Sequence, residues 1–155
     1  MQTPSLAERM ASYEPAPWSL IPDLGLYMDQ VVTYIEQQFK PLYGAKASSL
    51  ITPSMVNNYV KSRLLDRPLG KKYYREHLAL LMMIVTLKPV ASMDDISRLL
   101  NRPDGLSVQS LYEGFCQTQR EVFHALSLDP QTSALRSAVT ATAYHLVAEG
   151  LLEEN

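Results

Sequence analysis

The 155-residue chain has one cysteine, three histidines and six glycines, and each scarcity removes a class of chemistry. Cys116 alone cannot form an internal disulfide. With His77, His124 and His145 scattered, a single cysteine cannot complete a zinc site of the usual ligand count. Glu121-x-x-His124 has the spacing of a di-iron ligand pair, but that chemistry needs a second such pair and two further carboxylates. Gly70-Lys71-Lys72 lacks the glycine spacing and the Ser/Thr of a phosphate loop. No nucleophile elbow or kinase signature occurs. No apolar run approaches the roughly 18 residues of a membrane span. The longest, Leu78–Leu87, is short and interrupted by Thr86. The N-terminus has no basic-then-apolar signal pattern, so the expectation is a cytoplasmic protein with no membrane partner. Seven methionines, including Met82-Met83, read as core filler rather than soft-metal ligands. The expectation is therefore no metal, no cofactor and no enzymatic activity.

What remains is enough for a folded domain. A hydrophobic fraction of 46% with 19% charge is that of a soluble globular chain. Charge, however, is unevenly placed. Residues 61–75 carry Lys61, Arg63, Arg67, Lys71, Lys72 and Arg75 against the single acid Asp66. That local net of +5 sits in a chain of net −2, leaving −7 elsewhere. Such contrast speaks about partners rather than fold, and the natural partner of a compact cationic patch is a polyphosphate such as DNA. A pI near 5.9 argues against a protein that coats nucleic acid, so any DNA contact is expected to be local and oriented.

Residues 1–22 hold Pro4, Pro15, Pro17 and Pro22 and no usable periodicity, which predicts an extended arm pinned to the body by Trp18, Leu20 and Ile21. A helix is expected over Leu24–Phe39, capped by Asp23 and ended by Pro41 and Gly44. Ala45–Ser49 then reads as a hinge.

Thr52-Pro53 is a cap followed by proline at the first helical position. At 100° per residue Met55, Val56, Tyr59 and Val60 share one side of the helix, and Ser54, Asn57, Asn58 and Lys61 share the other. The polar side is short-armed and carries no acid. Asparagine can address adenine N6 and N7, and lysine can address guanine or phosphate. Leu64-Leu65 returns the chain to the core, and Asp66–Gly70 is turn chemistry. Lys71-Lys72-Tyr73-Tyr74 then leaves that turn as a small two-stranded wing with lysines at its tip.

A largely buried helix follows over Arg75–Lys88, ended by Pro89, and Ser92 caps another through Leu100. Asn101–Gly105 is the clearest break. Beyond it, Ser107 caps a helix with Val108, Leu111, Tyr112, Phe115, Val122, Phe123 and Leu126 at helical spacing. Asp129-Pro130 is expected to open the last helix, whose Leu135, Ala138, Val139, Thr142, Leu146 and Val147 form a narrow stripe. The two together read as an antiparallel helical hairpin with a leftover apolar seam.

The order ITPSMVNNYVKSRLL, KKYY and SMDDISRLL within Ile51–Leu100 resembles the winged helix-turn-helix of the MerR class of bacterial regulators. In that class a recognition helix ends in a Gly-Leu-Leu turn, an Arg-Arg-Tyr wing follows, and a later helix begins Ser-Leu-Glu-Glu-Ile. LYMDQV at Leu26–Val31, taken with ITPSMVNNYVKSRLL and KKYY, more closely resembles the uncharacterised bacterial family called domain of unknown function 1836, over about residues 20–125. Its members are generally presumed to be DNA-binding regulators of the winged type. By the MerR resemblance, Asn57 and Lys61 stand at groove-facing positions, and Lys71, Lys72 and Tyr73 stand at the wing positions. Arg63 replaces the usual turn glycine, Tyr74 replaces a capping serine, and the long dimerising helix and metal-binding cysteines are missing.

The fold expected is mainly α: a MerR-like winged helix-turn-helix with a small β wing over residues 23–104, preceded by the arm 1–22 and followed by a helical hairpin in 105–155. The function expected is sequence-specific binding of double-stranded DNA as a transcriptional regulator, through Ser54, Asn57, Asn58, Lys61, Arg63, Arg67, Lys71, Lys72, Tyr73 and Arg75. A single module reads few base pairs, so a homodimer is expected, with the C-terminal hairpin as its seam. The rival reading is a non-enzymatic interaction module that binds a partner protein through the same basic face. A sensor whose C-terminal helices hold a small apolar effector is a third, motivated only by the stripe.

Overall fold

The computed structural model describes residues 2–126 and 132–154. The described chain is mainly helical, with seven α-helices and two short 3-10 turns. Two isolated β-bridges stand in place of any extended strand among the described residues.

The N-terminal segment is not simply extended. Helix α1, Leu6–Ser12, is opened by a capping box: the Ser5 hydroxyl accepts from the Glu8 N–H at 3.2 Å, and the Glu8 carboxylate accepts from the Ser5 N–H at 2.6 Å. Those bonds also hold the Glu8 carboxyl below its usual pKa. After α1 the chain is well anchored. Tyr13 is buried and donates to the Gln38 carbonyl, Trp18 packs against the core, and Ile21 is fully buried. Leu20, expected as a third pin, is instead exposed.

Helix α2 spans Met28–Tyr43, four residues later at each end than the periodicity indicates. Its start is delayed because Leu26 is held in a bridge to Tyr73, so Asp23 caps nothing and Tyr27 occupies the cap position. Val31, Ile35 and Phe39 form the inward stripe at four-residue steps. Pro41 lies inside the last turn rather than ending the helix; Gly44, at φ +57°, ends it. The expected hinge at residues 45–49 is a 3-10 turn, Gly44–Ser49, with Ala47 buried.

Helices α3 (Pro53–Lys61), α4 (Arg75–Leu87) and α5 (Met93–Leu99) follow, and α4 is the axis of the fold. Every residue of α4 from His77 to Val85 is buried, because α2 and α6 both pack on it. A helix apolar on all sides belongs inside a core. Helix α6, Val108–Ala125, buries Val108, Tyr112, Cys116 and Gln119. The Tyr112 hydroxyl donates to the Ala16 carbonyl at 2.5 Å, tying this helix to the N-terminal segment.

The last helix, α7 (Ala134–Glu153), is capped by Ser133; the expected start at Asp129-Pro130 lies outside the described residues. The expected helical hairpin is not the main packing. Helix α6 packs chiefly on α4 and α1, whereas α7 rests on α5, where the Arg98 guanidinium donates to the Leu152 carbonyl. The reason is the Val108–Tyr112–Cys116 stripe, which seats α6 in the central core and leaves Val122 and Leu126 exposed. No residue of α7 is buried.

Candidate nucleic-acid interface

The N-terminus of α3 is fixed by two residues. The Thr52 hydroxyl accepts from the Met55 N–H at 3.2 Å, and Pro53 brings a preset φ and no N–H to leave unsatisfied. Val56 and Tyr59 are buried and Val60 is half-buried, which orients the helix. Met55, expected with them, lies at the boundary and is 36% exposed. Ser54, Asn57, Asn58 and Lys61 all face outward, as their spacing dictates. Asn58 makes one weak contact, Nδ2 to the Met93 sulfur at 3.9 Å.

The C-terminus of α3 is a Schellman motif. The Leu64 N–H donates to the Tyr59 carbonyl at 2.9 Å, and the Arg63 N–H donates to the Val60 carbonyl at 3.1 Å. Arg63 therefore adopts φ +64°, the left-handed conformation that normally belongs to glycine. Leu65 then dives into the core, and Asp66 and Arg67 stay at the surface.

The lysine segment is a turn rather than a wing of two strands. Leu69 and Lys72 exchange both backbone hydrogen bonds, at 2.9 and 3.1 Å, around Gly70 (φ +58°) and Lys71 (φ +64°). Two consecutive positive φ values make this a type I′ turn. Pairing stops there, because Tyr73 turns to bond Leu26 in both directions at 2.8 Å. Lys71 stands exposed at the tip. Lys72 is half-buried, with its ammonium 5.4 Å from the centre of the Tyr27 ring, a cation–π contact. Its stem crosses directly over Gly25, where a Cβ would lie 2.9 Å from the Lys72 Cβ.

Two residues expected on the interface have other duties. Tyr73 is only 3% exposed, and its ring meets His77 edge-on at 5.4 Å between centroids. Burial raises its phenol pKa. Arg75 is half-buried: its Nε donates to the Ile21 carbonyl at 2.9 Å, its guanidinium covers Trp18, and Asp23 lies 3.9 Å away. Arg75 thus clamps the N-terminal segment to α4. The alternation of cations with tyrosines made both look like surface residues; only the tertiary partners reveal otherwise.

Lys61, Arg63, Arg67 and Lys71 are exposed and enter no ion pair among the described residues. Lys61 borders two adjoining surface depressions, one running along Ser54, Asn57 and Asn58, the other holding Arg63, Asp66 and Arg67. The polar face of α3 and the cations beyond its C-terminus are therefore one continuous surface. Lys71 and Lys72 belong to the turn seated against residues 25–27. A cation outside the expected set, Arg102, borders a third depression together with Arg63. Nothing local to the Asn101–Gly105 break signals this, because the approach is made by the packing of α5.

The described chain is thus a mainly helical body in which the acid-free outward face of α3 leads into cations without ion pairs among the described residues. The chain belongs to the family described as "Domain of unknown function (DUF1836)", which matches residues 16–115. That stretch runs from the anchored N-terminal segment through α3, the lysine turn and α4 into α6. Neither a curated protein nor a solved structure matches the chain. Among the described residues no helix is long and apolar enough to cross a membrane, and no cluster of three His, Cys, Asp or Glu is placed to hold a metal.

Proposed function

We propose that the chain is a sequence-specific DNA-binding transcriptional regulator that uses a MerR-like helix-turn-helix, with the Gly70-Lys71 turn in the place of the wing. Helix α3 enters the major groove and presents Ser54, Asn57, Asn58 and Lys61 to base edges. Arg63 and Arg67, beyond its C-terminus, and Lys71, at the tip of the type I′ turn, engage phosphates and set the register. Lys72 adds a partly shielded charge beside Tyr27, whereas Tyr73 and Arg75 act from inside by fixing the turn and α4. One observation carries this reading: the outward face of α3 has no acid, and it continues through Lys61 into cations without ion pairs. A merely solvated helix would more often mix acids with lysines.

The regulator acts as a homodimer, with α7 as the seam, because this helix of 20 residues buries no side chain and leaves Leu135, Val139 and Leu146 exposed, an apolar stripe that a second copy would cover. The test is capture of fragmented genomic DNA on the purified protein at physiological salt, followed by sequencing. Enrichment of a few sites built as inverted repeats is the expected result. Uniform retention that vanishes with modest added salt would leave only the electrostatic attraction and sink the operator-binding reading.

A further inference from the structure

The surface beyond α3 contains a cleft that shares only Arg63 with the DNA-facing residues assigned above. It has a volume of about 220 Å³ and lies where the C-terminal turn of α3 meets α5 and the loop after it. Leu64, Leu80 and Leu100 line its apolar part, and Arg63, Ser97, Asn101 and Arg102 supply side-chain donors, with Asp66 the one acid. Among the described residues Arg63 and Arg102 make no side-chain hydrogen bond and no ion pair, not even with Asp66. Two guanidiniums bring ten N–H donors to one small space, and among the described residues none of those donors is hydrogen-bonded.

Three features bias that space toward an anion with several acceptor oxygens. The planar forks of arginine match a phosphodiester in two-point geometry. Ser97 and Asn101 add neutral donors of the kind that contact DNA backbones. Arg63 is held in a left-handed conformation that glycine adopts without strain, an outlier that points to a use for its side chain. Against this stand Asp66 and the carbonyl ends of α3 and α5, whose partial negative charges favour cations. They account for arginines gathering here, but no guanidinium in the cleft donates to them.

We infer that Arg63 and Arg102, with Ser97 and Asn101, form a second phosphate clamp that grips a DNA backbone segment flanking the groove read by α3. This rests on the DNA-binding reading above and adds a contact made beyond the C-terminal end of the recognition helix. Arg102 is then a positioning residue: it sets affinity and register without choosing bases.

The test measures binding of a captured site and of random duplex across a range of salt by fluorescence anisotropy, for wild type, Arg102→Ala, Arg102→Lys and Arg98→Ala. Arg98 lies on α5 but is tied to Leu152, so its loss serves as a control. Arg102→Ala should reduce the slope of log K against log salt by about 0.9 and weaken both duplexes by the same factor. Arg102→Lys should restore the slope, because it restores the charge. An Arg102→Ala slope equal to wild type on a duplex that wild type binds would overturn the clamp alone. A wild type that binds neither duplex at low salt would overturn the clamp together with the reading beneath it.

Discussion

The imidazole of His77 reaches back ten residues to Arg67 while holding the start of its own helix: its Nδ1 accepts from the Tyr74 N–H, and its Nε2 donates to the Arg67 carbonyl, each at 2.9 Å. A backbone N–H only donates and a carbonyl only accepts, so these partners fix the neutral Nε2–H tautomer. The ring thereby caps α4 and braces the cationic loop at once. His77→Ala would leave a donor and an acceptor without partners inside a 7% exposed site. A loss of about 2 kcal/mol is expected, read as a lower urea midpoint with unchanged m. DNA affinity should fall beyond what unfolding accounts for, since the Arg67 loop loses its brace. Unchanged stability would show that the ring only fills space.

Asn57 and Lys71 should fail in different ways. Asn57→Ala removes the donor and acceptor proposed to meet a base edge, so preference at one base position should relax while the salt slope stays. Lys71→Ala removes a charge at the turn tip, so every sequence should weaken about equally and the slope should flatten by about one unit. Binding-site selection followed by salt titration separates the two. Sequence-blind losses from both would remove α3 from the major groove.

Alkaline pH should destabilise the fold. Burial raises the phenols of Tyr13 and Tyr34 from 10.0 to about 12, and it pushes Tyr112 up as well. A folded pKa above the unfolded one means that stability is fully present below pH 10. It is then lost as pH rises toward 12, because the unfolded chain ionises first and releases protons that the fold retains. Tyr34 has the further handicap of a buried hydroxyl without a partner. Thermal midpoints measured from pH 8 to 11.5 should fall steadily above pH 10. Tyr34→Phe should fall less steeply.

Much of this was legible in the chain, and what was missed has a pattern. The Thr52-Pro53 cap, the two faces of α3, the buried α4 and the Ser92 and Ser107 caps follow from local chemistry, which the tertiary structure left in charge. The Ser5-x-x-Glu8 capping box was equally readable, but it was obscured by the surrounding prolines. Other differences are tertiary. Leu26 is drawn into a bridge by Tyr73, which shifts the start of α2 and makes the expected wing a two-residue turn. Tyr73 and Arg75 look like interface residues because they sit among cations, yet His77, Trp18 and Ile21 claim them. No periodicity encodes those partners.

The dimer proposed on α7 has a preferred direction. Leu135, Val139 and Leu146 project from one side and are 75%, 58% and 66% exposed. The charges of the helix are split, with Arg136 near its start and Glu149 and Glu153 near its end. An antiparallel pair crossing at Thr142-Ala143 brings Val139 opposite Leu146 and Arg136 beside the acidic turns of the other copy, whereas a parallel pair sets like charges together. Light scattering should give twice the 17.4 kDa chain mass for wild type and one chain mass for Leu146→Glu. With Cys116 buried, Ala143→Cys should cross-link readily under mild oxidation and Leu135→Cys should not. Cross-linking at both positions would mean a parallel seam, and a monomeric wild type would mean none.

Arg63 offers the sharpest separation of folding from function. Its backbone closes the Schellman motif at φ +64°, where a side chain costs about 1 kcal/mol relative to glycine. The side chain is exposed and makes no hydrogen bond or ion pair among the described residues, so removing it forfeits little. Arg63→Gly should therefore hold or raise stability, by up to about 1 kcal/mol after the greater freedom of glycine in the unfolded chain is counted. The same change should weaken DNA binding and flatten the salt slope. A stabilised protein with reduced affinity is the signature of strain kept for a ligand. If Arg63→Gly instead destabilises the fold, the guanidinium holds the turn together from within, and its place at the DNA surface lapses.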